Sequence, residues 1–398
     1  MTMKEEPNPN WAQLPLFDRS KWKTVRFGDV VELVSDTVRD ARKEGIDRYI
    51  GMEHLEPGSL HISTWGELAD GITFTKRCRV GQVLFGKRRA YQRKVAIAEF
   101  DAVVSGDIYV FQAKADRLDP KLLPFLCMSE RFFQFAVETS AGSLSPRTNW
   151  SHLKDFEFAL PPLDQQRRIA ELLWAVDEVN EQYTAVETSV LNSIETSRAA
   201  HTVGSDQSVA VKLQDACTDI VDCPHTTPHF IEAGVLVVRN FNIRAGALDL
   251  QTRFFTSEDE WKDRTKRLTP EEGDILFSRE APVGEACIVP SNTKLSLGQR
   301  TMLLRCDPQI ALPEFLLQVL YSKEVQRTMQ NLASGTTVAH LNVKDVRELE
   351  VLLPPLFEQR KAMEEINVLS NALSHVRSSL ASTRLMRDAM LAATFDSN

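Results

Sequence analysis

Two stretches of this chain repeat apolar residues every seven positions. In the first, Ile169, Val176, Tyr183 and Val190 mark one line of a helix, and Leu172, Val179 and Val186 mark a second line beside it. In the other, Ile366, Leu373 and Leu380 alternate with Leu369 and Val376, and the spacing loosens towards Met386 and Met390. A narrow stripe kept over several heptads is the seam of a coiled coil. An amphipathic helix packed on its own domain would also give one such stripe, but two matching stripes in one chain favour packing against each other. A helix of about 35 residues reaches about 50 Å at 1.5 Å per residue. Antiparallel pairing would then make a rigid spacer with a globular segment at each end.

Outside the seams the pattern changes to short strands. VGQVLFG, AVVSGDIYVFQ, GVLVVRNF, GDILFS and KLSLGQRTMLLRC are β-branched or aromatic runs punctuated by glycine. Helical spacing returns in 119–142 and 312–335, which finish at Gly142 and Gly335, a common helix stop. The order of these elements repeats. LPPLDQQRRI, from Leu160, returns as LPPLFEQRKA, from Leu353, and GQVLFG, from Gly81, returns as GDILFS, from Gly273. Asn149, Leu153 and Glu157 meet Asn342, Val346 and Glu350 in the same register. The chain is a tandem duplication. The expected fold class is α+β: two tandem mixed α/β domains separated by an antiparallel coiled coil of two long helices. The expected boundaries are an extension at 1–20, a first domain at 21–163, a central spacer helix at 164–203, a second domain at 204–356 and a C-terminal spacer helix at 357–398.

Composition narrows the chemistry. A chain of 398 residues, 43% of them hydrophobic, can bury more than one core. No run approaches the roughly 18 apolar residues of a membrane span, and the opening MTMKEEPNPN lacks the apolar stretch of a secretory signal, so a cytoplasmic location without membrane contact is expected. Cys78, Cys127, Cys217, Cys223, Cys287 and Cys306 form no CxxC pair and suit reduced, buried thiols. GxxxxGK[ST] and GxGxxG are both missing, so the usual nucleotide cradles are not written here. The paired prolines follow leucine, which cannot hydrogen-bond a target amine as the Asn or Asp of an amino-methyltransferase does. Cys217, Cys223, His225 and His229 have the ligand types for zinc. Their spacing matches no standard finger, Pro224 and Pro228 stiffen the segment, and the first half has no counterpart, so no metal is expected.

Several stretches, taken in order, resemble one family. The junction Leu160-Pro161-Pro162-Leu163 with Gln165-Gln166-Arg167-Arg168-Ile169, and its copy through Glu358-Gln359-Arg360, is similar to the join between recognition domain and helix in the specificity subunit of type I restriction-modification systems. Tyr49 to Gly58, and Asp222-Cys223-Pro224-His225-Thr226-Thr227-Pro228 with Gly234, resemble two openings of its recognition domains. Gly273 to Arg279 resembles the mid-domain strand and loop, with Glu280-Ala281-Pro282 in place of the small or glycine-rich residues often found next. Arg384 to Phe395 resembles the family's ending. The resemblance implies a noncatalytic chain that recognises double-stranded DNA. It also implies two methyltransferase (modification) subunits as partners, together with ATP-driven restriction (motor) subunits. S-adenosylmethionine, ATP and magnesium would belong to those partners, leaving no cofactor in this chain. A related system with a fused restriction-methylation partner, a catalytic methyltransferase or nuclease with an unrecognised site, and a scaffold with two protein-binding domains are the other readings.

DNA recognition needs donors that grip phosphate and forked or amide side chains that read base edges. In the first half, Lys87, Arg88, Arg89, Tyr91, Gln92, Arg93 and Lys94 supply both, with Arg147, Thr148 and Asn149 near Gly142. In the second, the candidates are His225, Thr226, Arg239, Asn240, Asn242, Arg244 and Arg279, with Thr336 and Thr337 beside Gly335. If each domain reads a few base pairs, a rigid spacer fixes the distance and rotational phase between the readings. The target should be split, and asymmetric because KRRAYQRK and SREAPVGE differ. A net charge of −8 weakens the sequence-independent phosphate attraction, which partner subunits would supply.

Overall fold

The structure is a computed structural model that describes residues 15–396 except 69–70, 72, 143–144, 203–206 and 334–338. It parts into two units, one of residues 1–185 with 377–398 and one of residues 186–376.

Unit 1 opens with β1 (Lys23–Arg26) and the single turn α1 (Phe27–Val30). One sheet follows from β2 (Val31–Val34), β6 (Val83–Gly86), β7 (Val95–Ile97) and β9 (Ile108–Ala113), ordered β2-β9-β6-β7. A second sheet, ordered β4-β3-β8-β5, takes β3 (Arg48–Ile50), β4 (Gly66–Glu67), β5 (Lys76–Cys78) and β8 (Ala102–Val104). The apolar runs are continuous because the first sheet is covered on both faces. Phe85 and Phe111 lie in an aromatic core with α2 (Leu123–Met128) and α3 (Glu130–Glu138), whereas Leu84 and Val110 pack with Ile50 and Val104 of the second sheet. The turn α4 (Trp150–Leu153) follows, and β10 (Glu157–Leu160) returns to pair antiparallel with β1.

Unit 2 repeats this plan. β11 (Val209–Lys212) pairs with β21 (Glu350–Leu353), and the turn α6 (Leu213–Ala216) follows β11. Its main sheet, β12 (Cys217–Asp222), β20 (Thr301–Cys306), β17 (Ile275–Ser278) and β18 (Ala286–Ile288), has the connectivity of the unit 1 sheet. In the smaller sheet β13 (Val235–Val238) pairs parallel with β19 (Leu295–Leu297) and antiparallel with β16 (Phe254–Thr256), as β3 does with β8 and β4. A two-stranded ribbon, β14 (Ile243–Arg244) with β15 (Ala247–Leu248), and helix α7 (Glu258–Arg264) are additions. α8 (Pro313–Leu320), α9 (Lys323–Ala333) and α10 (Val343–Glu348) then precede β21.

Each late helical stretch is broken by a serine at the equivalent place. Ser129 Oγ accepts from the Phe132 amide and Ser322 Oγ from the Val325 amide, so each caps a new helix in mid-stretch. The twice-written junction has a mechanical reason. After the double proline, Gln166 donates to the carbonyls of Pro161 (2.8 Å) and Arg117 (3.0 Å) and accepts from the Asp119 amide (2.8 Å). Gln359 does the same with Pro354 and Ile310 (2.8 Å each) and the Leu312 amide (2.9 Å). Both side chains are buried, and each clamps the first turn of a long helix to its own domain.

Those helices are α5 (Leu163–Thr202) and α11 (Leu356–Leu391), and each unit contains half of each. On α11 Ile366, Leu369, Leu373, Val376 and Leu380 are all buried or half-buried, and the same spacing carries on through Thr383, Arg387 and Met390. On α5 the expected seam is corrected. Ile169 is buried and Val176, Tyr183 and Val190 are half-buried, but Leu172, Val179 and Val186 are exposed at 47%, 38% and 45%. The buried line lies one residue further on, at Ala170, Leu173, Asp177 and Asn180. The polar members there have partners, although the buried Asn180 Nδ2 has none among the described residues: Thr383 Oγ1 donates to Asn180 Oδ1, and Asp177 lies 3.8 Å from Arg387 and 3.0 Å from His61. In unit 2 the pairing includes His201 with Glu365 at 3.0 Å.

Candidate nucleic-acid interface

In unit 1 the basic stretch leaves β6, turns through the short 3-10 helix Ala90–Gln92 and enters β7. Arg89 and Arg93 bracket that turn with positive φ of 54° and 57°, an uncommon conformation for arginine that the surrounding bonds must hold. The Arg89 amide donates to the Pro146 carbonyl at 2.7 Å. Arg88 donates to Ser145 Oγ (2.6 Å) and to Asp107 Oδ2 (3.2 Å), and Arg147 donates to Asp107 Oδ1 (3.0 Å). Lys94 donates to the Met52 carbonyl, Arg93 pairs with Glu130, and Lys87 Nζ stands 4.9 Å over the Tyr109 ring. Arg89 and Tyr91 stand exposed. Arg88, Arg89, Gln92, Met52, Glu53, Ser105 and Asp107 line a concavity of about 360 Å³. Lys76 donates to the Ile108 carbonyl beneath this loop, and burial, aided by the charge of Lys87, lowers its pKa to about 8.

Two members of the expected set in this unit have other tasks. Thr148 is fully buried, its amide donating to the Lys87 carbonyl, so it builds the loop and is withdrawn from solvent. Asn149 is exposed at the N-terminal cap position of α4.

Unit 2 requires more correction. Asn242 is buried and donates to the carbonyls of Asp249 and Thr252 (2.8 Å each), and Asn240, also buried, donates to the Ala281 carbonyl (2.7 Å). Both amides build the turn. Arg279 is largely buried, donating to both oxygens of Asp222 and to the Leu341 carbonyl. Arg239 lies over the rings of Phe241 (5.1 Å) and Phe254 (5.3 Å), and Arg244, exposed, donates to the Phe241 carbonyl. His225 is exposed 3.6 Å from Asp222, and Thr226 accepts from Arg264. Thr336 and Thr337 lie outside the described residues. Cys217 pairs in register with Cys306 across β12 and β20, apart from the histidines in its bonding. Among the described residues no His, Cys, Asp or Glu group is arranged to hold a metal ion.

The organising residues of both loops are acidic: Asp107, Asp222 and Glu280, the last 2.9 Å from Arg300. Counting cations and amides passes over them. The sequence signal that could have found them is the register of the repeat, which sets the Asp107 and Arg300 positions opposite their loops.

The model of the type I restriction modification DNA specificity domain matches residues 19–193 and 236–379, once over each half. The chain belongs to this family. Among its curated relatives, the EcoDI specificity subunit of Escherichia coli is 28% identical over 194 residues, 46% of this chain. That match spans only 40% of the EcoDI subunit's own length. The MjaVIII specificity subunit of Methanocaldococcus jannaschii is 21% identical over 387 residues, 88% of this chain and 87% of that one. Among solved structures, the S subunit of a type I restriction-modification system from M. genitalium superposes with a TM-score of 0.61 at 15% identity, over 95% and 96% of the two chains. A chain from a structure concerning assembly and conformational transition of a type I R-M system gives 0.55 at 22% identity, over 94% and 97%. These two likenesses show the fold of a type I specificity subunit: two tandem mixed domains and two long helices. Among the described residues no helix is long and apolar enough to cross a membrane.

Proposed function

We propose that this chain is the noncatalytic DNA-specificity subunit of a type I restriction-modification complex in the cytoplasm. Its recognition domains, 21–163 and 204–356, each read one half of a split, asymmetric site on double-stranded DNA. The spacer segments, 164–203 and 357–398, which carry α5 and α11, set the unread gap. The observation that carries this reading is the match of one specificity-domain family to both halves of the chain. Exposed Arg89, Tyr91 and Arg147 in unit 1, and exposed His225 and Arg244 in unit 2, supply the donors such a surface needs. With a net charge of −8 the chain lacks much of the general attraction to phosphate, which suits a subunit that works inside a larger assembly. In that assembly two modification subunits would transfer methyl groups from S-adenosylmethionine, and motor subunits would use ATP and magnesium for cleavage.

Methylome sequencing of a host with and without the gene tests the proposal. The expected result is a two-part motif with an unread gap, methylated only when the gene is present. A contiguous or palindromic motif, or methyl transfer by the purified chain alone, would contradict it.

A further inference from the structure

Arg88, Asp107 and Arg147 have counterparts in unit 2 that can be fixed bond by bond. β6 and β9 end with Gly86 opposite Ile108, and β17 and β20 end with Ser278 opposite Thr301. Next, the Lys87 amide donates to the Asp107 carbonyl (3.0 Å), and the Arg279 amide donates to the Arg300 carbonyl (3.1 Å). The Thr148 amide donates to the Lys87 carbonyl (3.0 Å), as the Leu341 amide does to Arg279 (2.8 Å). Isolated bridges then join Arg88 with Arg147 and Glu280 with His340. Position for position, Arg88 corresponds to Glu280, Asp107 to Arg300 and Arg147 to His340.

At the Arg88 and Asp107 positions each unit makes an ion pair, with the charges exchanged, and in unit 1 Arg147 also pairs with Asp107 at 3.0 Å. Arg88 lies 3.2 Å from Asp107, while Glu280 lies 2.9 Å from Arg300. Arg88 and Arg300 are 41% and 53% exposed while Asp107 and Glu280 are 20% and 21% exposed, so each pair lies at the solvent boundary and contributes modestly to folding, and the backbone bonds of both loops form with either polarity. What the exchange alters is the face offered to a ligand. A guanidinium donates, and its matching base edge is the N7 and O6 of guanine; a carboxylate accepts, and its matching group is an exocyclic amino group. Glu280 meets Arg300 through Oε2, and a carboxylate can accept at both oxygens, so a base amino group can be taken without breaking the pair.

We infer that Glu280 is a specificity-determining residue of the second domain, accepting the exocyclic amino group of cytosine or adenine, where the first domain presents Arg88 to guanine. Arg300 and Asp107 are positioning residues for them. The inference rests on the proposed function and adds the base class each loop selects.

The test uses the complex reconstituted with its modification subunits, with methylation rates measured on duplexes carrying each base at each position of the target. Glu280→Ala should lower discrimination about 10-fold or more at one position of one half-site and leave the other half-site unchanged. Arg88→Ala should do the same in the other half-site. The exchange Glu280→Arg with Arg300→Asp retains an ion pair and should move preference at that position towards guanine. Unchanged preference in Glu280→Ala and in the exchange variant would overturn the inference, as would loss of methylation on every duplex in both, which would make the pair structural. If the unaltered complex reads no split target, the proposed function itself fails, a result separable from a split target that ignores Glu280.

Discussion

A glutamine that bonds three backbone groups inside a buried turn cannot be shortened without leaving them unpaired. Gln166→Ala removes the partners of the Asp119 amide and the Arg117 and Pro161 carbonyls. At roughly 1–3 kcal/mol for each buried group left unsatisfied, with partial relaxation, the expected loss is about 3 kcal/mol. Gln359→Ala should cost a similar amount, and denaturant unfolding of the purified chain measures both. A loss under about 1 kcal/mol would mean that water or local movement replaces the clamp. His61 supplies a second case. It lies 3.0 Å from Asp177 and 2.9 Å from Glu99, and the bond to Asp177 leads in raising its pKa to about 9, against burial and with help from Glu99 and Glu181. Because the folded value exceeds the unfolded one of 6.5, the stability it contributes is complete below pH 6.5 and disappears as pH rises through about 9. The difference in melting temperature between the unaltered chain and His61→Gln should therefore shrink across that window. An equal difference at pH 6 and pH 10 would contradict the assignment.

At the scale of elements, much of the architecture is legible in the sequence, for a physical reason. Strands such as Val83–Gly86 and Ile275–Ser278 read as unbroken apolar runs because both faces are covered, and the junction repeats because the same clamp is built twice. The α5 seam misleads because Asp177 and Asn180 are buried through their partners, which an apolar count passes over, while Leu172 and Val179 lie outside it. This difference is measurable. Leu173→Ala should cost about 3 kcal/mol through cavity formation, whereas Leu172→Glu and Val179→Glu should change unfolding by less than about 0.5 kcal/mol. The reverse ranking would restore the apolar seam. The proposed reading loops were only partly legible, since asparagine, threonine and arginine that suit base edges also suit tight turns. Thr148, Asn240, Asn242 and Arg279 are spent in this way, and only their hydrogen bonds reveal it.

For the whole molecule, duplication matters because it places one domain plan twice on a pair of helices, and the loops then diverge while the frame is kept. Arg88 with Asp107 and Glu280 with Arg300 show how far that divergence reaches without disturbing the backbone bonds. The central claim is that the length of the helix pair sets the distance between two separate readings of DNA. One heptad added to α5 and one to α11 lengthens the pair by about 10 Å at 1.5 Å per residue, or about three base pairs at 3.4 Å each. Sequencing the sites methylated by the complex carrying both insertions should recover the same two half-sites with about three more unread base pairs between them. An unchanged gap, or altered half-sites, would show that the helices do not set the spacing.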